Sequence, residues 1–212
     1  MEKVLEVYKR PLDPKNPVVC MDESPKQLIA ETRVPIPASP GQPERHDYEY
    51  RRCGMCNIFI ACEPLAGNRM AKVTERKTRQ DWAYFMEDIA NQYETAEKIT
   101  IVMDNLNTHE IGSFYETFQP DKAKALCDRF EFVYTPKHGS WLNMAEIELN
   151  VLTGQCLDRR MDNIEFVRKE VLAWEKNRNN KNAKVKWQFT TENARIKSVS
   201  YTHLTLPTNR EV

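Results

Sequence analysis

The sequence predicts an α/β fold in which a mixed β-sheet is flanked by helices. Three observations predict it. Short apolar runs recur along the chain, and two of them end in an aspartate. Between the later runs lie segments with apolar residues at spacings of three and four, the helical period. The first strands are close enough for hairpins, whereas the later ones need helical crossovers, so the sheet must mix antiparallel and parallel pairing.

Each element follows in order. Pro17 to Asp22 is a short apolar run ending in a carboxylate and reads as a buried strand, with residues 27–33 as its hairpin partner. Residues 34–44 hold four prolines, Pro35, Pro37, Pro40 and Pro43, which forbid a helix or a central strand and predict an extended loop. Strand character resumes at Asn57 to Cys62, a turn follows at Pro64 to Gly67, and Arg69 to Thr74 is the next strand. From Thr78 to about Lys98, residues Trp82, Phe85, Met86, Ile89, Ala90 and Tyr93 mark one helix face. Ile99 to Met103 is a second apolar strand running into a carboxylate, Asp104. A short helix at residues 120–130, a short strand at 131–134, and helices at 142–157 and 164–176 complete the pattern.

Composition narrows the function. The chain has 212 residues, 41% of them hydrophobic, with 31 basic and 31 acidic side chains. That length suits one domain with its own core. No apolar run approaches the roughly 18 residues of a membrane span, and Met1 to Val4 is not the start of a signal peptide. A formal net charge of zero excludes nucleic-acid binding by bulk charge, so any such binding requires a local patch. The six cysteines, without a secretory signal, fit a reducing interior. Cys53 and Cys56 form a lone CxxC, two ligands where zinc needs four, and read as strand cysteines.

The chemistry sits at the strand ends. Asp22 and Asp104 each terminate an apolar strand, and Glu146 lies at the start of a later helix. Adjacent parallel strands bring their terminal side chains together, and a helix over that edge supplies a third. Three clustered carboxylates repel unless divalent cations neutralise them. Such a site suits two-metal phosphoryl chemistry. The competing reading is that aspartate is common at strand ends as a turn former.

Three motifs raise the specificity. Val102 to His109, with Asp104, Asn105 and His109, resembles the second-aspartate motif of mariner-superfamily transposases. Thr135 to Glu146 resembles their third-acid motif, a proline followed by Leu-Asn-x-x-Glu, here Leu142, Asn143 and Glu146. Val19 to Glu23 resembles the first. The bacterial insertion-sequence branch known as the IS-six-thirty group, with its DDE superfamily endonuclease domain, is the nearest pattern, and the resemblance spans roughly residues 5–197. It implies a ribonuclease-H-like fold, two Mg²⁺ ions replaceable by Mn²⁺, and cut-and-paste DNA transposition. Asp22, Asp104 and Glu146 would be the catalytic metal ligands, with Asn105 and His109 behind them. Double-stranded DNA and a second copy of the chain are the implied partners. A prokaryotic cytoplasm, at the nucleoid, is the implied location.

Rival readings accompany these assignments. His109 could be a loop histidine bonded to backbone. Asn143 stands three before Glu146, the spacing of a helix cap and its third residue, so Glu146 could merely cap. Glu148 competes for the third position, because it lies on the apolar arc of its helix with Met144, Ile147, Val151 and Leu152. The family pattern places the acid at Glu146. Asp13, Glu23, Asp47 and Asp158 read as surface or turn carboxylates, and Trp141 as a core or interface aromatic rather than a base-stacking one.

The chain's ends complete the expected layout. Residues 1–16 read as a linker remnant and 17–175 as the catalytic domain. Residues 176–197 form a basic segment with seven Lys and Arg against Glu192, interleaved with Trp187 and Phe189. Lys181, Lys184, Lys186 and Arg195 are its candidate phosphate contacts, with Arg159 and Arg160 as an extension. No helix-turn-helix fits before Asp22, so the chain is expected to be truncated or begun at an internal start. Residues 198–212, with His203 and Arg210, resemble a translated sequencing-adapter tail and carry no expected function. The rival functions are a plain nuclease of the same fold and a catalytically silent DNA-binding remnant.

Overall fold

The computed structural model describes residues 1–195. Lys197 and the segment 198–212 with His203 and Arg210 lie outside the described residues. In chain order the elements are α1 (Glu2–Tyr8), β1 (Val18–Glu31), β2 (Tyr50–Glu63), β3 (Asn68–Thr74), α2 (Arg79–Gln92) and β4 (Ile99–Met103). There follow α3 (Gly112–Thr117), α4 (Pro120–Arg129), β5 (Phe130–Tyr134), α5 (Ala145–Leu152) and α6 (Ile164–Asn180). The sheet order is β3-β2-β1-β4-β5. β1, β2 and β3 pair antiparallel, and β1, β4 and β5 pair parallel, so the sheet is mixed as expected.

Strand alternation sorts side chains onto two cores. On one face Cys20, Ile58, Ile60, Cys62, Val102 and Val133 pack with α1, α5 and α6. On the other Val19, Met21, Phe59, Ile99, Ile101 and Met103 pack with α2, α3 and α4. The buried apolar stripe of α2 is the one that periodicity predicts, and Thr78 with Asp81 forms a reciprocal capping box at its start. The helix stops at Gln92, before the predicted Lys98.

Three differences from expectation bear on the site. The predicted hairpin of residues 17–22 with 27–33 is instead one strand, β1, paired along its length with β2. Pro25 and the polar residues beside it imitate a break. However, β4 pairs with β1 only over Val18 to Cys20, so Pro25 lies where β1 has a single neighbour and a missing donor is tolerated. Residues 142–157 are not one helix: a 3₁₀ turn at Ser140–Leu142 precedes α5, and a π-helical turn at Thr153–Leu157 follows it. Residues 1–16, read as linker, begin with α1, whose Val4, Leu5 and Val7 are buried in the core shared with α5 and α6.

Residues 181–195 return across the same face. Val185, Trp187 and Phe189 turn inward while Lys184, Lys186 and Gln188 turn outward, an extended segment with one apolar side. The Val185 N–H donates to the Pro64 carbonyl at 3.0 Å, and Trp187 packs on Tyr8 and Trp141. All six cysteines are free, and Cys53 and Cys56 lie on β2 as strand cysteines. Among the described residues no helix is long and apolar enough to cross a membrane.

Candidate active site

Parallel pairing of β1 and β4 brings the ends of the two strands to one edge of the sheet: Val18 stands beside Thr100 and Cys20 beside Val102. Asp22 continues the parity of Cys20, which points to the face covered by α5, and Asp104 directly follows the last residue of β4. Glu146 lies in the first turn of α5, which packs on β1 and β2. Asn143 joins this helix to the strand edge. Its Nδ2 donates to the Met21 carbonyl at 2.8 Å, and its Oδ1 accepts from the Ala145 N–H at 3.1 Å. Asn143, two residues before α5, is therefore bonded to the backbone directly before Asp22. The N-cap position of the helix is Met144, and no side chain caps it.

The three acids feel one another's charge. Burial first, and then the negative charge of Glu23, Asp104 and Glu146, push the Asp22 carboxyl up to about 7. Asp22, Asp104 and Glu146 are each half-buried, and Glu146 has no ion-pair partner among the described residues. The donors are hard oxygens only, which fits Mg²⁺ or Mn²⁺ and not a soft metal. Among the described residues no three His, Cys, Asp or Glu side chains stand close enough together to hold a metal ion. Asn105 is exposed rather than tucked behind Asp104. It lines, with Asp104, Leu106, Thr135, Pro136, Lys137, His138 and Ser140, an open cleft of about 400 Å³ that neither Asp22 nor Glu146 borders.

Glu148 has a different role from Glu146. Its side chain is fully buried and bound by Arg69, Nε to Oε2 at 2.7 Å and Nη2 to Oε1 at 2.8 Å. Arg178 of α6 adds bonds at 3.0 and 3.1 Å. Burial would raise this carboxyl, but the two guanidiniums outweigh it and hold the carboxyl below the usual range. Glu148 thus ties α5 to β3 and α6, which explains a charge on an apolar arc.

Two sequence assignments need correction. Glu23 is no surface carboxylate: its side chain is 2% exposed, on the α2 face, 3.1 Å from His109 Nε2. Strand alternation carries the signal for it, since Asp22 on one face obliges its neighbour to enter the core on the other. Arg159 and Arg160 do not extend a basic surface freely. Arg159 is bound to Glu170, and Arg160 to Glu31 and the Asp47 carbonyl.

The remaining assignments fall as follows. His109 is fully buried, with Nδ1 2.8 Å from Asp104 Oδ1 and 3.2 Å from the Asp104 carbonyl. Burial would lower this imidazole, but Asp104 and Glu23 outweigh it and push it up to about 9. Trp141 is half-exposed, stacked on Trp187 at 6.3 Å and edge-on to Phe189 at 5.3 Å, an aromatic anchor for the returning segment. Lys181, Lys184 and Lys186 are exposed, and Arg195 pairs with Glu2 at 2.7 Å.

Comparison with known proteins gives the class. The profile of the DDE superfamily endonuclease family matches residues 17–168, and the chain belongs to that family. Among solved structures it is similar to a pre-cleavage Mos1 transpososome, with 16% identity and a TM-score of 0.55 over 86% of this chain and 59% of that one. It is also similar to the Mos1 strand transfer complex, with 17% identity and a TM-score of 0.56 over 82% and 51%. A third is the Mos1 mariner paired end complex with Mn, with 17% identity and a TM-score of 0.53 over 86% and 56%. These likenesses establish the ribonuclease-H-like fold. The chain spans between half and three fifths of the length of those proteins. No curated protein matches the sequence.

Proposed function

We propose that this chain is the catalytic domain of a DDE transposase of the mariner superfamily, from the bacterial insertion-sequence branch called the IS-six-thirty group. It cleaves DNA at the ends of a mobile element and joins the freed 3′ hydroxyl to a target. The observation that carries this reading is the parallel pairing of β1 with β4 over Val18 to Cys20, which supports Asp22 and Asp104 lying at one edge of the sheet, with Glu146 in the first turn of α5 near them. Residues 17–175 are the catalytic unit, 176–197 the basic segment and 198–212 a non-native tail, while α1 extends the unit into residues 1–16.

Asp22, Asp104 and Glu146 would hold two Mg²⁺ ions, or Mn²⁺ in their place. When bound, the ions supply an activated attacking oxygen and a stabilised leaving oxygen for in-line displacement. The chain's own residues do the rest. Asn143 fixes the start of α5 against Met21, so Glu146 keeps its place relative to Asp22. His109 stands against Asp104, its Nδ1 2.8 Å from Oδ1 and bonded to the Asp104 carbonyl at 3.2 Å. Lys184 and Lys186, outward on a segment anchored by Trp187, position phosphates without reading sequence. Cleavage at two ends calls for two sites, and a homodimer would provide them. Prokaryotic DNA in the cytoplasm is the substrate.

The same three acids serve hydrolysis and joining, so joining separates a transposase from a plain nuclease. A pre-cleaved duplex with a 3′ hydroxyl end is incubated with supercoiled plasmid and Mn²⁺. Covalent joining of the duplex to plasmid is expected. Nicking without joining would indicate a nuclease, and binding without either would indicate a silent remnant.

A further inference from the structure

Asp104 lies one residue past the end of β4, where residues 105–107 are exposed and no regular structure holds it. A metal ligand in that position needs a support from outside its own element. We propose that Glu23 is a positioning residue which, through His109, sets the Asp104 carboxylate for divalent-metal binding. The inference rests on the reading of Asp104 as a ligand.

The geometry is a chain across the edge of the sheet. Glu23 Oε2 lies 3.1 Å from His109 Nε2 and His109 Nδ1 lies 2.8 Å from Asp104 Oδ1, both as ion-pair approaches without hydrogen-bond geometry, while the Nδ1 hydrogen bond goes to the Asp104 carbonyl at 3.2 Å. The imidazole is fully buried and the Glu23 side chain is 2% exposed, so neither exchanges its partner for water. The ring stacks on Trp82 with centroids 5.8 Å apart. Its backbone is fixed too: the His109 N–H donates to the Leu106 carbonyl at 2.9 Å, and the Tyr134 hydroxyl donates to the His109 carbonyl at 3.0 Å. An imidazole with one carboxylate partner is free to present either nitrogen to it. Carboxylates on both sides remove that freedom and fix the ring's orientation. Lys77 Nζ, 3.7 Å from Glu23 Oε1, holds the outer end. Asp22 and Glu23 therefore serve one site from opposite faces of β1: Asp22 joins the acid cluster, and Glu23 braces its other aspartate from beneath. Partners behind a metal ligand typically change metal affinity by 10–100-fold when removed.

The test is a titration of the full chain with Mn²⁺, read by the electron paramagnetic resonance of the free ion, with a thermal melt of each variant in metal-free buffer. Wild type should bind Mn²⁺ and Asp104→Asn should not. Glu23→Gln and His109→Gln should each weaken binding by about tenfold or more. The double variant should be no weaker than His109→Gln alone, because Glu23 acts through the ring. A residue that only supports the fold would lower the melting temperature and leave the Mn²⁺ affinity of the folded protein unchanged. Unchanged affinity in Glu23→Gln, or additive losses in the double variant, would overturn the proposal. Equal binding by Asp104→Asn and wild type would overturn the ligand reading and the proposal with it. If Glu23→Gln does not fold, Glu23→Asp keeps the charge but withdraws the carboxylate by one methylene. The same weakening is expected of it, and wild-type affinity would count against the proposal.

Discussion

Glu146 and Glu148 are two residues apart in one helix, yet their surroundings assign them opposite work. Glu148 is enclosed by Arg69 and Arg178, and removing its charge would leave Arg69 buried without a counter-ion. Breaking a buried pair from one side costs about 3–5 kcal/mol, so Glu148→Gln should lose about that much stability in a denaturant melt. Glu146→Gln should leave the melt nearly unchanged, since no partner depends on it among the described residues, and should abolish Mn²⁺-dependent nicking. Periodicity alone singles out Glu148, because it registers a charge on an apolar arc but does not register the arginines that meet it. Asp22 and His109 predict a pH dependence. Asp22 is raised from 3.8 to about 7, so the folded state keeps a proton that the unfolded chain releases, and its contribution to stability falls as pH rises through that window. His109 is raised from 6.5 to about 9; its contribution is fully present below the lower value and is lost as pH rises through the upper one. Both slopes have the same sign. Without divalent ions, wild type should lose stability from pH 5 to 8. Asp22→Asn should flatten the part below pH 7. The effect is on the order of a few kcal/mol, since each tenfold gain in proton affinity on folding is worth about 1.4 kcal/mol. A profile unchanged in Asp22→Asn would contradict this assignment.

At the scale of elements, α1 and the returning segment are joined to the same face. Tyr8 donates to the Leu142 carbonyl at 2.7 Å, and Arg195 reaches Glu2, so the N-terminal helix is bonded both to the stretch before α5 and to the basic segment. Leu5 is 1% exposed, and Leu5→Ala should cost about 2–5 kcal/mol, measured by urea unfolding. A mere linker helix would show no such loss. In the returning segment, changing Lys181, Lys184 and Lys186 to Ala should flatten the salt dependence of DNA binding by roughly 2 to 3 in logarithmic slope, about one per phosphate contact. Terminal-repeat and scrambled duplexes should give the same change, measured by fluorescence anisotropy across a salt series.

For the molecule as a whole, the parts of the fold legible in the sequence are those whose periodicity is intact. β4 and β5 lie where their apolar residues predict, α2 begins there but ends at Gln92, and β1 and β4 pair in parallel just before their two strand-end aspartates. β1 reads as two strands because Pro25 imitates a break, which matters only where both neighbours pair. α3, six residues long, carries too little periodicity to be seen. Of the corrected residues, Glu23 and Arg160 are charged side chains whose partners, His109 and Glu31, come from distant parts of the chain, a fact no local pattern holds. The central claim is that Asp22, Asp104 and Glu146 form one metal-dependent site. It is tested most directly by single-turnover cleavage of a labelled duplex across a Mn²⁺ series, for wild type and for Asp22→Asn, Asp104→Asn and Glu146→Gln, each verified as folded by circular dichroism. Wild-type cleavage should require Mn²⁺, and each substitution alone should remove it to background. Metal-independent cleavage, or any one folded variant cleaving at the wild-type rate, would contradict the claim.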